Sequence, residues 1–232
     1  MDSLPDELIY IISKNLYRNN DIISFSEVFP HLRFTLTSFV DYEKDYHKLN
    51  KKFRIINIFW PNIDVIHMPR NIQKVKFKED FNKPIKNLPK TITNIVFNNK
   101  FNQPADGLLP PNLINLTFGF YFNQPITIFP KNLKRLCFGT KFNGLYKDLP
   151  KKLKHLKMFV IKPYMVLENL TDSIEWLSIF CFCNINIKSL PKNIKSLWIH
   201  HRHEENIKNL DYLKKDYPNL KIKIRQMDRY YY

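Results

Sequence analysis

Seven phrases along the chain share one pattern of apolar positions: IQKVKF, ITNIVF, LINLTF, LKRLCF, LKHLKM, IEWLSI and IKSLWI. Each is apolar at its first, fourth and last residues. The last three positions alternate apolar, free, apolar, which is the period of a strand with one buried face. Short strands are therefore predicted at 74–77, 94–97, 115–118, 135–138, 155–158, 176–179 and 196–199. Three residues before each phrase stands an anchor: Pro69, Pro89, Pro110, Pro130, Pro150, Thr171 and Pro191, in steps of 20, 21, 20, 20, 21 and 20 residues. A Phe-Asn pair keeps the same step at Phe81, Phe101, Phe122 and Phe142. Chance does not hold such a register, and a fixed period of this length signals a repeat architecture.

Each unit holds one strand and a return path. Pro84, Pro104 and Pro125 lie in that path. Proline fixes φ and removes a backbone donor, so the return is extended and not helical. One unit is too small to bury its own apolar face, whereas stacked units bury it jointly. The expectation is a solenoid with a short-stranded parallel sheet and Pro-rich return segments. The Phe of each pair is expected as a rung of a core ladder. The Asn is expected to be buried beside it, its amide bonding backbone groups that the turn leaves open.

The period is lost in the first fifty residues. Leu8, Ile11, Ile12 and Leu16, then Ile22, Phe25 and Val28, recur at helical spacing. Pro30 ends the second helix, and a third is expected from about His31 to Lys48. At the other end EENIKNLDYLKKDYPNLKIKIRQ abandons the repeat and reads as a short helix and a final strand, the atypical cap of an open solenoid. The organisation expected is 1–50 helical, 51–204 solenoid and 205–232 cap.

The phrases FNQPI and LPxxLxxLxF resemble the FNIP repeat, a relative of the leucine-rich repeats, over about residues 69–200. FRIINIFWPNIDVIHMP reads as a degenerate first coil. LPDELIYIISKNL followed by DIISFSEVFPHLR resembles an F-box: Leu4, Pro5 and Glu7 match its opening, Leu16 its helix end, and Asp21, Ile22, Ile23 and Val28 its second helix. Phe29 and Leu32 depart from the usual Cys and Trp but stay apolar. The pairing is of the type found in giant DNA viruses and social amoebae. What it implies is a substrate receptor of an SCF-type cullin–RING ubiquitin ligase. Leu4, Pro5, Ile9, Ile12, Leu16, Ile22 and Val28 would meet the Skp adaptor, and the solenoid would meet a protein target.

Composition changes this picture in two respects. The net charge is +16, and residues 1–50 carry eight acidic against five basic side chains, so the excess lies in the solenoid. A basic solenoid could bind nucleic acid, and a protein-interaction scaffold without ligase coupling is a further alternative. Three cysteines cannot form a disulfide framework and point to a reducing compartment. No apolar stretch approaches the length of a membrane span, about 20 residues. The expected setting is cytoplasmic, the host cytoplasm if the chain is viral, with no membrane partner.

Candidate chemistry is sparse. There is no Gly-rich phosphate loop, no H-E-x-x-H and no nucleophile elbow, so neither an enzyme nor a cofactor is expected. The CFC at 181–183 and HHRH at 200–203 do not have structural-zinc spacing. Cys183 instead takes the Phe slot of the repeat, followed by Asn184 and Ile187 in their own slots. The free strand positions carry the remaining signal. They read Lys, Gln, Asn and Thr in the first coils and become Trp176, Ser178 and Trp198 in the last, with His155, Lys157 and His200 beside them. Exposed tryptophan is enriched at binding hot spots, so His155, Lys157, Trp176, Trp198 and His200 are the expected target-binding residues.

Overall fold

The structure is a computed structural model, which describes residues 34–36, 40–46, 53–55, 57–142, 149–160, 170–182, 185–187, 189–201, 207–208 and 210–226. Its strands are β1 (Phe34–Leu36), β2 (Val40–Asp41), β3 (Phe53–Ile55), β4 (Asn57–Trp60), β5 (Lys74–Phe77), β6 (Asn94–Val96) and β7 (Asn115–Thr117). Then follow β8 (Arg135–Cys137), β9 (His155–Val160), β10 (Trp176–Cys181), β11 (Ile185–Asn186), β12 (Ser196–His201), β13 (Ile207–Lys208) and β14 (Lys221–Gln226). Ten of them form one sheet in the order β14-β12-β10-β9-β8-β7-β6-β5-β4-β2, every neighbouring pair parallel. This is a parallel β-solenoid, with one coil per sheet strand.

The anchor residue works as a turn. Its carbonyl accepts the N–H three residues on in every coil, from Ile72 N–H to the Pro69 carbonyl through Ile194 N–H to the Pro191 carbonyl. Proline lacks an N–H but keeps its carbonyl, so it suits this position. A second turn precedes each Phe-Asn pair, as in Phe101 N–H to the Asn98 carbonyl and Phe122 N–H to the Gly119 carbonyl. Between these turns the described return carries no α-helix, but it is not wholly extended: Val65–His67 forms a 3-10 helix and Leu108 N–H bonds the Ala105 carbonyl in a further turn.

Two ladders of phenylalanine fill the core. The strand-end rings Phe77, Phe97, Phe118 and Phe138 stack coil on coil at 4.8, 5.5 and 5.8 Å between centroids. The FN rings Phe81, Phe101, Phe122 and Phe142 stack at 5.9 Å in each step. Within a coil the two rings meet at 3.7 to 4.1 Å. All eight are buried. Full burial of one such side chain stabilises by roughly 1.5–3 kcal/mol, so the ladders dominate the packing of the middle coils. Trp60 takes the strand-end slot in the first coil, in register with Phe77, and Met158 takes it after Phe138.

The asparagine of the pair corrects one expectation. Asn82 and Asn123 are exposed and Asn102 is half-buried, so the amide is not in the core. It does bond backbone, but in the next coil. Asn102 N–H donates to Asn82 Oδ1 at 2.9 Å, and Asn123 N–H donates to Asn102 Oδ1 at 2.9 Å. Asn62 begins the series by accepting the Asn82 N–H at 3.2 Å. The glutamine of FNQP reinforces it, Gln103 Nε2 to Asn82 Oδ1 and Gln124 Nε2 to Asn102 Oδ1. FNQP is thus two ladders side by side, a ring inside and an amide at the surface.

The N-terminal side also departs from expectation. A third helix over about 31–48 is not what the described residues form. Phe34–Leu36 pairs in parallel with Phe53–Ile55, Val40–Asp41 joins the sheet beside β4, and among the described residues of this segment the helical ones are Tyr42–Tyr46. An available sheet edge satisfies backbone groups that local periodicity does not register, and pairing context overrides propensity. The degenerate first coil is present as β3 and β4. The expected adaptor-facing residues lie outside the described residues.

The C-terminal cap is a helix and a strand. Helix α1 (Leu210–Asp216) buries Leu213. Tyr217 follows it, donating its hydroxyl to the Leu190 carbonyl at 2.8 Å and accepting the Leu190 N–H at 3.2 Å. β14 then joins the sheet beside β12. Among the described residues no helix is long and apolar enough to cross a membrane.

Candidate interaction face

The sheet turns its free positions outward in three rows. The first runs Lys74, Asn94, Asn115, Arg135, His155, Trp176, Ser196 and Lys221. The second runs Lys76, Val96, Thr117, Cys137, Lys157, Ser178, Trp198 and Lys223. The third exists only where the strands are longer: Phe159, Phe180, His200 and Arg225. Strands β9, β10 and β12 each run six residues against three in β6 to β8, and their last inward positions, Val160, Cys181 and His201, are in register and buried.

All five expected target-binding residues lie on this face and close together. Trp176 is in register with Ser196, and Ser178 with Trp198, so the two indoles meet diagonally. Their centroids are 5.6 Å apart in an edge-on arrangement. His155 lies 5.9 Å from Trp176. Lys157 extends over two rings, 4.5 Å from the Phe180 centroid and 5.7 Å from that of Phe159. His200 stacks on Phe180. Both tryptophans remain partly exposed. The described part of the cap does not fold over them. It extends the sheet, placing Lys223 4.7 Å and Arg225 5.5 Å from the Trp198 ring.

Phe159, Phe180, Lys223 and Arg225 were not among the expected residues. The first two could have been found by following the strand alternation two residues further. The last two could not, since nothing in the repeat predicts the register of the cap strand.

The electrostatics follow from the packing. Burial pushes the His200 imidazole below its ordinary value of 6.5, and Lys157, Arg225 and His201 push it further the same way. His155 is lowered by burial and Arg135, against an opposing pull from Glu175. Burial pushes the Cys137 thiol up, with Lys157 opposing, so it is no reactive thiolate. Just ahead of β10, Glu175 bonds Lys154 and Lys195, which lower its carboxyl to about 2. A shallow groove of about 480 Å³ runs across the face over Asn94, Asn115, Arg135, His155 and Trp176. Among the described residues there is no cluster of three or more His, Cys, Asp or Glu able to hold a metal ion.

The FNIP Repeat family model matches residues 81–121, 101–141 and 122–158. The chain carries FNIP repeats. The matched segments span the coils in which both phenylalanine ladders and the asparagine ladder are present. The groove over Asn94, Asn115, Arg135 and His155 lies within the matched residues, and the aromatic cluster of Phe159, Trp176, Phe180, Trp198 and His200 lies beyond them. No curated protein and no solved structure matches the chain. An FNIP-repeat solenoid is a scaffold of the kind used for protein interaction, since stacked coils present a long, regular surface.

Proposed function

We propose that this chain is the substrate receptor of an SCF-type cullin–RING ubiquitin ligase, working in the cytoplasm of a eukaryotic cell. The solenoid holds a protein target on the outer sheet face of its last coils. The N-terminal residues Leu4, Pro5, Ile9, Ile12, Leu16, Ile22 and Val28 dock on the Skp adaptor. The chain makes and breaks no covalent bond itself; it brings a target to the ligase. The observation that carries the target-binding half is the partly exposed pair Trp176 and Trp198 on a sheet face. Adjacent indoles that keep an edge in water are the kind of residue a binding partner covers. The adaptor half rests on the resemblance of Leu4-Pro5-x-Glu7 and the apolar stripe that follows to an F-box.

The test uses full-length chain expressed with an affinity tag in a eukaryotic lysate. Three forms are compared: the natural chain, Leu4→Ala with Pro5→Ala, and Trp176→Ala with Trp198→Ala. The expected result is that the first variant loses the Skp adaptor and keeps the target, while the second does the reverse. Retention of adaptor by the first variant refutes ligase coupling. Retention of the target by the second removes the sheet face as the receptor site.

A further inference from the structure

The chemistry of the face identifies the kind of segment it takes. From β5 to β14 every charged outward side chain is basic: Lys74, Lys76, Arg135, Lys157, Lys221, Lys223 and Arg225. From β5 to β14 no carboxylate stands in the three rows; the second row reaches one only beyond Phe59, at Asp41 on β2, which Lys78 holds. Glu175, just ahead of β10, is already engaged by Lys154 and Lys195. Among the described residues Arg135, Lys157, Lys223 and Arg225 have no carboxylate partner, unlike Lys78, which is held by Asp41 and Glu43. Cations grouped without counter-charges raise the local potential and attract an anionic partner.

Two anionic partners are conceivable, and the rings decide between them. Single-stranded nucleic acid binds such faces by stacking bases on open aromatic rings. Here the rings are already occupied. Phe180 is sandwiched between Phe159, at 4.6 Å, and His200, at 4.1 Å. Trp198 carries Lys223 and Arg225 against its ring and meets Trp176. What remains exposed is indole edge and ammonium or guanidinium, which suits aliphatic side chains and carboxylates.

We propose that the occupant is an acidic, extended polypeptide segment lying across the coils, perpendicular to the strands. The inference rests on the docking face of the preceding section. The groove over Asn94, Asn115 and Arg135 receives one end of the segment. Trp176 and Trp198 hold an apolar side chain at its middle. Lys157, between the groove and the tryptophans, and Lys223 and Arg225, at the other end, take the carboxylates. From β6 to β14 the face crosses six strand spacings, about 29 Å at roughly 4.8 Å each. An extended chain covers that distance with about nine residues.

The experiment is selection of a random dodecapeptide library on phage against immobilised full-length chain. A Trp176→Ala, Trp198→Ala form serves as counter-selection. The expected consensus holds several Asp or Glu and one large apolar residue. The best clone, made as a labelled free peptide, is expected to bind about tenfold or more weakly to a Lys157→Gln, Lys223→Gln, Arg225→Gln variant. Its Asn/Gln isostere is expected to lose affinity likewise. A neutral or basic consensus that still needs the tryptophans overturns the acidic chemistry and leaves the docking face standing. Enrichment that survives the tryptophan changes, or none at all, overturns both. Tighter binding of the oligonucleotide dT12, lost in the triple variant, makes the face a nucleic-acid site instead.

Discussion

The imidazole of His200 lies flat on the ring of Phe180, with centroids 4.1 Å apart and 4° between the planes. Lys157 reaches the same phenylalanine, so imidazole and ammonium share one ring. The contact keeps His200 partly buried beside cations, and both effects disfavour its protonation. A histidine whose folded value is depressed binds fewer protons than the unfolded chain does below pH 6.5. Its contribution is therefore neutral above that pH and becomes destabilising as pH falls through the window beneath it. An NMR titration should place the His200 midpoint below 6.5, and Lys157→Gln should move it upward. A midpoint that ignores the lysine change would contradict the electrostatic part of the account.

Phe122 stacks on Phe101, Phe118 and Phe142 and is fully buried. Phe122→Ala leaves a cavity between coils that neighbours on a fixed spacing cannot close. The expected loss is about 3–5 kcal/mol in denaturant unfolding, with Phe122→Leu costing less. A loss near zero would place the ring outside the core.

Asn102 is a link in the surface amide ladder, donating its N–H to Asn82 and accepting that of Asn123. Asn102→Ala should cost about 0.5–1.5 kcal/mol, because a half-exposed amide partner can be partly replaced by water. Hydrogen exchange should quicken at the Asn123 amide. Asn102→Asp keeps the acceptor oxygen and should restore most of the protection; equal exchange in both variants would rule out the ladder as its source.

Gly119 and Gly139 occupy equivalent places in successive coils. A methyl group on Gly119 would run into the Asn98 carbonyl, and one on Gly139 into the carbonyl of Gly119. The obstacle in each case is backbone, which cannot rotate aside. Gly119→Ala should destabilise by about 1–3 kcal/mol through overpacking, read as a lowered midpoint in thermal melts. An unchanged midpoint would mean that the coils can separate locally at little cost.

The spacing of Pro, Leu and Phe by itself determined the solenoid. A strand of period two, followed by a return that proline keeps from becoming helical, can bury its apolar side only against copies of itself. The strand starts at residues 74, 94, 115, 135, 155, 176 and 196, and the inward place of each FN phenylalanine, follow from that constraint. The clustering of Trp176 and Trp198 in the last coils was legible too, since neighbouring coils are neighbouring repeats.

The tertiary structure alone decided what depends on register between coils. Trp176 faces Ser196 and meets Trp198 only diagonally. Lys223 and Arg225 reach Trp198 because the cap strand continues the sheet instead of covering it. The asparagine of FNQP is at the surface because its acceptor is needed by the next coil's backbone and not by its own turn. Val40–Asp41 is strand because β4 offers it an edge. Each of these outcomes is set by hydrogen bonds between residues twenty or so positions apart or more. A one-dimensional pattern records which side of the chain is apolar, but not which distant backbone group will complete a bond.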